Sequence, residues 1–278
     1  MQSKINERWK IAQQGERQCW YYIRNKVNSK KYLQSKANYW HNVLEELPEV
    51  KITEDTKILD VGCGPSGILL AVDSGKRTGL DSLMNYYLDS FPYLHQMDVE
   101  WINGTIEDFY PSEKFNVIFM MNSLDHVKNP QLAVESAKRL LLEGGYLIVS
   151  LNCHNYTFLK RYFIKFNKYV DTYHPFQWDK KDVLNLLRDF EMIKIENVDD
   201  LVIRLQEQVT ENNQKQPMLK SFLTTWYKLI LNPLSIPIDF IGLLGIPRHK
   251  TSKHKRSIFS HYIFLAKKVS DRCMVAKK

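Results

Sequence analysis

The stretch Lys57-Ile58-Leu59-Asp60-Val61-Gly62-Cys63-Gly64-Pro65-Ser66-Gly67 constrains the fold of this chain more than any other. A short apolar run leads into three closely spaced glycines, the pattern of a buried parallel strand that ends in a tight turn before a helix. Gly62 and Gly64 carry no Cβ, so the backbone can turn sharply and a ligand can come close to it. Amides at the start of the next helix would then face a polar ligand group, an arrangement that suits dinucleotides and related cofactors.

Gly62-x-Gly64-x-x-Gly67 also satisfies the dinucleotide fingerprint, and Asp81, 19 residues after Gly62, is spaced as a ribose-binding acid. Asp60 separates the cofactor classes. That position is ordinarily apolar in nicotinamide sites, where a carboxylate would face pyrophosphate. It suits a ligand with a cationic end, such as the amino and sulfonium groups of S-adenosylmethionine. The run Ile58-Leu59-Asp60-Val61-Gly62-Cys63-Gly64 resembles the first motif of the class I S-adenosylmethionine-dependent methyltransferases. A tight strand-to-helix turn with no ligand is the plain alternative.

The later segments fall in the order this resemblance implies. Residues 68–72 read as the first crossover helix, and 75–81 as a second strand with Asp81 at its carboxyl end. An acid there can accept both ribose hydroxyls, or it can cap the helix that begins at Ser82-Leu83-Met84; Ser82 is a neighbouring candidate. Residues 99–104 read as a third strand. Thr105-Ile106-Glu107 then resembles the family segment that frames adenine. The family often has an acid where this chain has Thr105, so the contact falls to the Thr105 hydroxyl, the Ile106 amide or Glu107.

Residues 114–122 are nearly all apolar, as in a strand buried on both faces. Asn122-Ser123-Leu124-Asp125-His126-Val127-Lys128-Asn129-Pro130 closely resembles the family's post-strand loop. The likeness puts Asn122 where the cofactor's methionine end meets the acceptor. Residues 131–142 carry apolar side chains at helical spacing, Gly144-Gly145 stops that helix, and 146–151 form the fifth strand.

Three histidines are candidates for a base that takes an acceptor proton: His126, His154 and His174. His126 belongs to a loop that in the family is more often braced by it, while His154 and His174 lie where related enzymes dock acceptors. Each also reads as a hydrogen-bonded structural histidine. Asp179 is expected to cap a helix over 180–190, leading to a strand near 192–198 that pairs with a last strand at 261–267.

Ahead of the core, residues 6–47 read as helical and aromatic, and the resemblance implies that they cover the cofactor. Residues 212–257 are the departure from the family plan. Met218, Leu219, Phe222, Leu223, Trp226, Tyr227 and Ile230 form one apolar helical face, and eight basic residues there meet the single acid Asp239. That insertion reads as a lid, a dimerisation arm, or an interfacial anchor on anionic lipid. It holds most of the net charge of +8, so a general nucleic-acid reading is poorly supported.

Cys19, Cys63, Cys153 and Cys273 form no Cys-x-x-Cys pair, which argues against a zinc site or disulfides and fits a reducing cytoplasm. Residues 1–10 are polar and read as no secretory leader.

The expected architecture is α/β: a Rossmann-like, doubly wound, seven-stranded sheet in one structural domain. Its parts are a helical cap over 1–50, a core over 51–211, the insertion over 212–257, and the last strand and tail over 258–278. The resemblance implies methyl transfer from S-adenosyl-L-methionine, leaving S-adenosyl-L-homocysteine. Asp60, Gly62, Cys63, Gly64, Asp81, Ser82, Thr105, Ile106, Glu107 and Asn122 would hold the cofactor, with no metal. The expected acceptor is a small molecule or saccharide precursor of secondary-metabolite or surface-polysaccharide synthesis. A lipid-linked acceptor, with peripheral membrane contact through 218–256, is the alternative, and a homodimer is left open. A nicotinamide-dependent oxidoreductase and a non-catalytic scaffold are readings from other classes.

Overall fold

The computed structural model describes residues 2–171, 174–201, 203 and 257–269. Two helices, α1 (Gln2–Val27) and α2 (Lys30–Glu45), precede a sheet that begins with β1 (Lys57–Val61). Then follow β2 (Lys76–Asp81), α3 (Met84–Ser90), β3 (Glu100–Asn103), β4 (Phe115–Met121), α4 (Pro130–Leu140) and β5 (Leu141–His154). The chain continues through α5 (Thr157–Val170), α6 (Lys180–Leu186), β6 (Glu191–Asn197) and β7 (Phe259–Lys267). The strands form one sheet in the order β3-β2-β1-β4-β5-β7-β6. All pairings are parallel except those of β7, which runs antiparallel to both β5 and β6. This is the expected seven-stranded Rossmann-like sheet with its closing antiparallel hairpin.

Strand periodicity decides which residue meets which layer. Ile58, Val117 and Phe119 point to the face covered by Tyr39, Trp40 and Val43 of α2 and by Leu47 just after it. Leu59, Ile118 and Met120 point to the opposite face, against Val134, Ala137 and Leu140 of α4 and Val183 of α6. Because both faces are covered, β4 needs apolar residues at successive positions, as its sequence shows.

The chain reverses direction along the sheet between β1 and β4, since β2 lies on one side of β1 and β4 on the other. A crevice therefore opens beyond their carboxyl ends, where α/β sheets bind ligands.

Three local expectations are corrected. The helix expected over 68–72 is a single 3₁₀ turn, Ile68–Ala71. Gly75, at φ +87°, already swings the chain into β2, which leaves no room for further turns. The sheet face there is covered by α2, whose Trp40 Nε1 donates to the Ser66 carbonyl at 2.9 Å. The helices expected over 6–47 are α1 and α2, separated at Ser29, whose hydroxyl accepts from the Tyr32 amide and so caps α2.

Helix α4 stops at Leu140, ahead of the two glycines, because Leu141 is already extended and pairs with Phe115 of β4. Asp179 caps α6 through a reciprocal box with Asp182, but that helix ends at Leu186 instead of 190. The insertion over 212–257 lies outside the described residues, apart from Ser257. Among the described residues, no helix is long and apolar enough to cross a membrane.

Candidate active site

At the end of β1, Gly62 (φ +66°) and Gly64 (φ +54°) both adopt the left-handed backbone that glycine tolerates best. A Cβ on Gly62 would stand 2.4 Å from the Cβ of Ser123, so position 62 also packs too tightly for any side chain. Asp60 lies beneath it, 1% exposed, and neither carboxylate oxygen meets the geometry of a hydrogen bond. Burial and the charge of Asp81 push its carboxyl up to about 8, and the facing Ile68 amide offsets only part of this.

A cavity of about 220 Å³ opens above the turn, at the crevice beyond β1 and β4. Trp9, Gln13, Glu16 and Trp20 of α1 line it at helical spacing and cover it as one face. Bonds at α1 tie the cap down: Trp9 Nε1 donates to the His126 carbonyl at 2.9 Å, Arg8 Nη2 donates to the Asp171 carbonyl at 2.8 Å, and Ser82 Oγ donates to Gln13 Oε1 at 2.5 Å. Gly62, Cys63, Gly64, Asp81, Ser82, Thr105, Ile106, Glu107, Asn122 and His126 all reach this cavity. Asp60 does not. It borders a much smaller adjoining space behind the turn, with Cys63, Gly64 and Gly67.

Asp81 accepts from the Gly64 amide at 3.0 Å and from the Leu83 amide at 2.8 Å, one on each carboxylate oxygen. The first bond ties the end of β2 to the glycine turn, and the second holds the chain just ahead of α3, whose N-cap is Leu83 and carries no side-chain cap, so Asp81 does not cap that helix. Burial raises this carboxyl to about 6, with the two amides opposing. Thr105 Oγ1 donates to Asp108 Oδ2 at 3.1 Å.

Glu107, 4% exposed, accepts from the amides of Lys128 and Asn129 at 2.8 and 3.0 Å on Oε1, so it braces the loop after β4. Its Oε2 has no hydrogen-bond partner. Asn122 is the one described non-glycine residue at positive φ, +53°, and its strained backbone turns the chain off β4 at the cavity edge.

A second, smaller cavity of about 50 Å³ lies alongside, lined by Asp125, Asn152, Asp171, His174, Phe176, Gln177, Trp178 and Phe259. Here the structure brings two of the three candidate histidines together: the rings of His126 and His174 stand 4.9 Å apart between centroids. His174 Nδ1 lies 2.6 Å from Asp171 Oδ1, and Asp171 Oδ2 accepts from Gln177 Nε2 at 3.0 Å.

His154 is placed elsewhere. It is 6% exposed, packed against Phe163 and Phe259, and lines neither cavity. Burial lowers its pKa, and its Nε2 sits 2.8 Å from Gln177 Oε1. Sequence reasoning passed over Asp125, Asp171, Gln13 and Glu16 as site residues. The spacing of Trp9, Gln13, Glu16 and Trp20 was a legible signal; the approach of Asp171 and His174 to Asp125 was not.

Residues 30–200 match the family described as a methyltransferase domain. The ubiquinone biosynthesis O-methyltransferase of Glaesserella parasuis is 34% identical over 105 residues, which cover 34% of this chain and 44% of that protein. Its counterpart in Vibrio atlanticus is 33% identical over 109 residues, covering 36% and 45%. The chain spans less than half the length of the curated relatives it matches.

Among solved structures, geranyl diphosphate C-methyltransferase from Streptomyces coelicolor aligns with TM-score 0.56 and 12% identity, over 87% of this chain and 82% of that one. The [4+2]-cyclase SpnF aligns with TM-score 0.55 and 16% identity, over 82% and 81%. A fold shared with a cyclase carries the architecture and not the reaction. The family match is what assigns the chain. It runs from α2 to the end of β6 and takes in the glycine turn, Asp81 and the loop after β4: this chain belongs to the methyltransferase-domain family.

Proposed function

We propose that this chain transfers the methyl group of S-adenosylmethionine to an oxygen of a small-molecule acceptor. The observation that carries the reading is the covered cavity at the crevice beyond β1 and β4, where Asp81, held by the Gly64 and Leu83 amides, stands beside a glycine turn that leaves no room for a side chain at Gly62.

Three features fit the cofactor. Asp81 keeps lone pairs for ribose hydroxyls. The unpartnered Oε2 of Glu107, with Thr105 and the Ile106 backbone, offers polar atoms for a purine edge. Glu16, Asp81 and Glu107 line the cavity, so acids border a space that would take a cationic ligand.

When bound, S-adenosylmethionine supplies an electrophilic methyl group on a sulfonium sulfur. The protein's share is positioning: α1 closes the space, and the loop from Asn122 to His126 separates the cofactor cavity from the second one. Holding both reactants in line supplies most of the acceleration for such a displacement. An acceptor hydroxyl must also shed its proton, and Asp125, His126 and His174 border the place where that would happen. Oxygen as the methylated atom is supported by the relatives named O-methyltransferases.

The finer reading is a hydroxylated metabolite or saccharide precursor. It draws on the second cavity, where Asn152, Asp125 and Gln177 supply polar contacts beside the flat faces of Phe176 and Trp178. Free thiols at Cys19, Cys63 and Cys153 support a reducing compartment such as the cytoplasm.

Two titrations and one assay test this. S-adenosylhomocysteine should saturate the protein, bind Asp81→Ala more weakly, and leave NADH without measurable binding. Label from S-adenosylmethionine should then enter the small polar or saccharide fraction of a cell extract. NADH binding without S-adenosylhomocysteine binding would overturn the proposal, and label confined to protein or nucleic acid would overturn the acceptor class.

A further inference from the structure

We propose that Asp125, His126 and His174 form a binding site for one divalent transition-metal cation. The site stands on its own geometry; its use, holding an acceptor hydroxyl, rests on the methyl-transfer reading. His126 Nε2 lies 3.9 Å from Oδ1 of Asp125, and His174 Nε2 lies 3.9 Å from its Oδ2. Ligand atoms from the three residues all fall within 4.8 Å of one another. A separation of 3.9 Å is too long for a hydrogen bond. Two ligands bound about 2.1 Å from one tetrahedral ion stand about 3.4 Å apart, so a small contraction of the three side chains would close the set.

The surroundings are those of a site short of a cation. Asp125 is 8% exposed, and its Oδ1 is buried without a hydrogen-bond partner. A buried carboxylate oxygen in that state is unfavourable until a positive group meets it. His174 is already braced from behind: Asp171, 6% exposed, takes its Nδ1 at 2.6 Å, and Gln177 holds the other oxygen of Asp171. An outer carboxylate on one ring nitrogen orients the other and strengthens it as a ligand.

Two imidazoles and one carboxylate favour Zn²⁺, Fe²⁺, Co²⁺ or Ni²⁺ over Mg²⁺ and Ca²⁺, which prefer oxygen ligands. Three protein ligands leave positions open. The second cavity, with Asn152, Gln177 and Trp178, adjoins them. A hydroxyl entering there would complete the coordination and become more acidic.

The test titrates chelator-treated full-length protein with Zn²⁺ and with Co²⁺ by calorimetry and visible spectroscopy, with S-adenosylhomocysteine binding read separately as the check of folding. One equivalent should bind the wild type and Cys19→Ser alike. Asp125→Asn, His126→Ala and His174→Ala should lose it, and Asp171→Asn should weaken it by about 10- to 100-fold. Absence of stoichiometric binding by wild type overturns the site. So does retention of binding in variants that still bind S-adenosylhomocysteine, which would mark an adventitious thiol site. Loss of S-adenosylhomocysteine binding by wild type would instead strike the methyl-transfer reading and leave the metal result to stand by itself.

Discussion

Replacing Asp60 with Asn should change how stability depends on pH more than it changes stability at any one pH. The ordinary aspartate value is 3.8, and in the folded chain burial and Asp81 raise it to about 8. Between those two values the folded chain keeps a proton that the unfolded chain has lost. Stability therefore falls as pH rises from about 4 to about 8, and is level below and above that window. At about 1.4 kcal/mol per pH unit the whole window amounts to about 6 kcal/mol, an upper limit that relaxation and water entry reduce to about 2–4 kcal/mol.

Asn has nearly the same shape and does not titrate. Any fixed difference in packing or hydrogen bonding between the two side chains cancels when one pH is compared with another. Urea unfolding followed by tryptophan fluorescence at pH 5, 6, 7 and 8 measures this. The stability of Asp60→Asn relative to wild type should grow by about 1.5–3 kcal/mol from pH 5 to pH 8, which spans about three-quarters of that window. A difference that stays flat across the series would refute the reasoning, because Asp60 would then be ionised and compensated inside the fold.

Other consequences follow from the same geometry. Gly62→Ala combines a left-handed φ of +66° with a 2.4 Å clash against Ser123, so it should lower the melting temperature and abolish S-adenosylhomocysteine binding in one calorimetric experiment. Asp81→Asn keeps one acceptor oxygen but loses the charge that serves the Gly64 and Leu83 amides, and should weaken S-adenosylhomocysteine by about 10- to 100-fold, in line with about 1.5–3 kcal/mol for a hydrogen bond to a charged group. Trp9→Phe removes the bond to the His126 carbonyl and should weaken the same ligand by about 1 kcal/mol with little change in melting temperature. His154→Gln should destabilise the fold while leaving kcat in place, because this ring lines neither cavity. Burial lowers the folded His154 pKa below 6.5, so its contribution is full above that value and lost as pH falls toward the folded pKa; the variant's deficit should shrink in acid.

Local order along the chain was enough for the glycine turn, for Asp81 at the end of β2, and for the sheet itself. Each of those follows from backbone sterics or from a period of two, and needs only neighbouring residues to be read. The helix expected after Gly67 failed for a related reason. Helical spacing over a few residues could not reveal that Gly75 ends the segment early, or that α2, from before β1, covers that face of the sheet.

The histidines mark the same boundary more sharply. All three had suitable chemistry and position in the chain, and only packing told them apart. His154 went into an aromatic cluster, whereas the α5–α6 connection carried His174 and Asp171 back to Asp125 and His126 across nearly fifty residues of sequence. Glu107 shows it within a single side chain: one oxygen is spent on the Lys128 and Asn129 amides and the other is buried without a hydrogen-bond partner. Residue type and spacing determined which chemistry was available to this protein. Which groups meet, which are buried, and which atoms remain to face a ligand were decided by the tertiary structure, because burial and long-range contact depend on chain segments far apart in sequence.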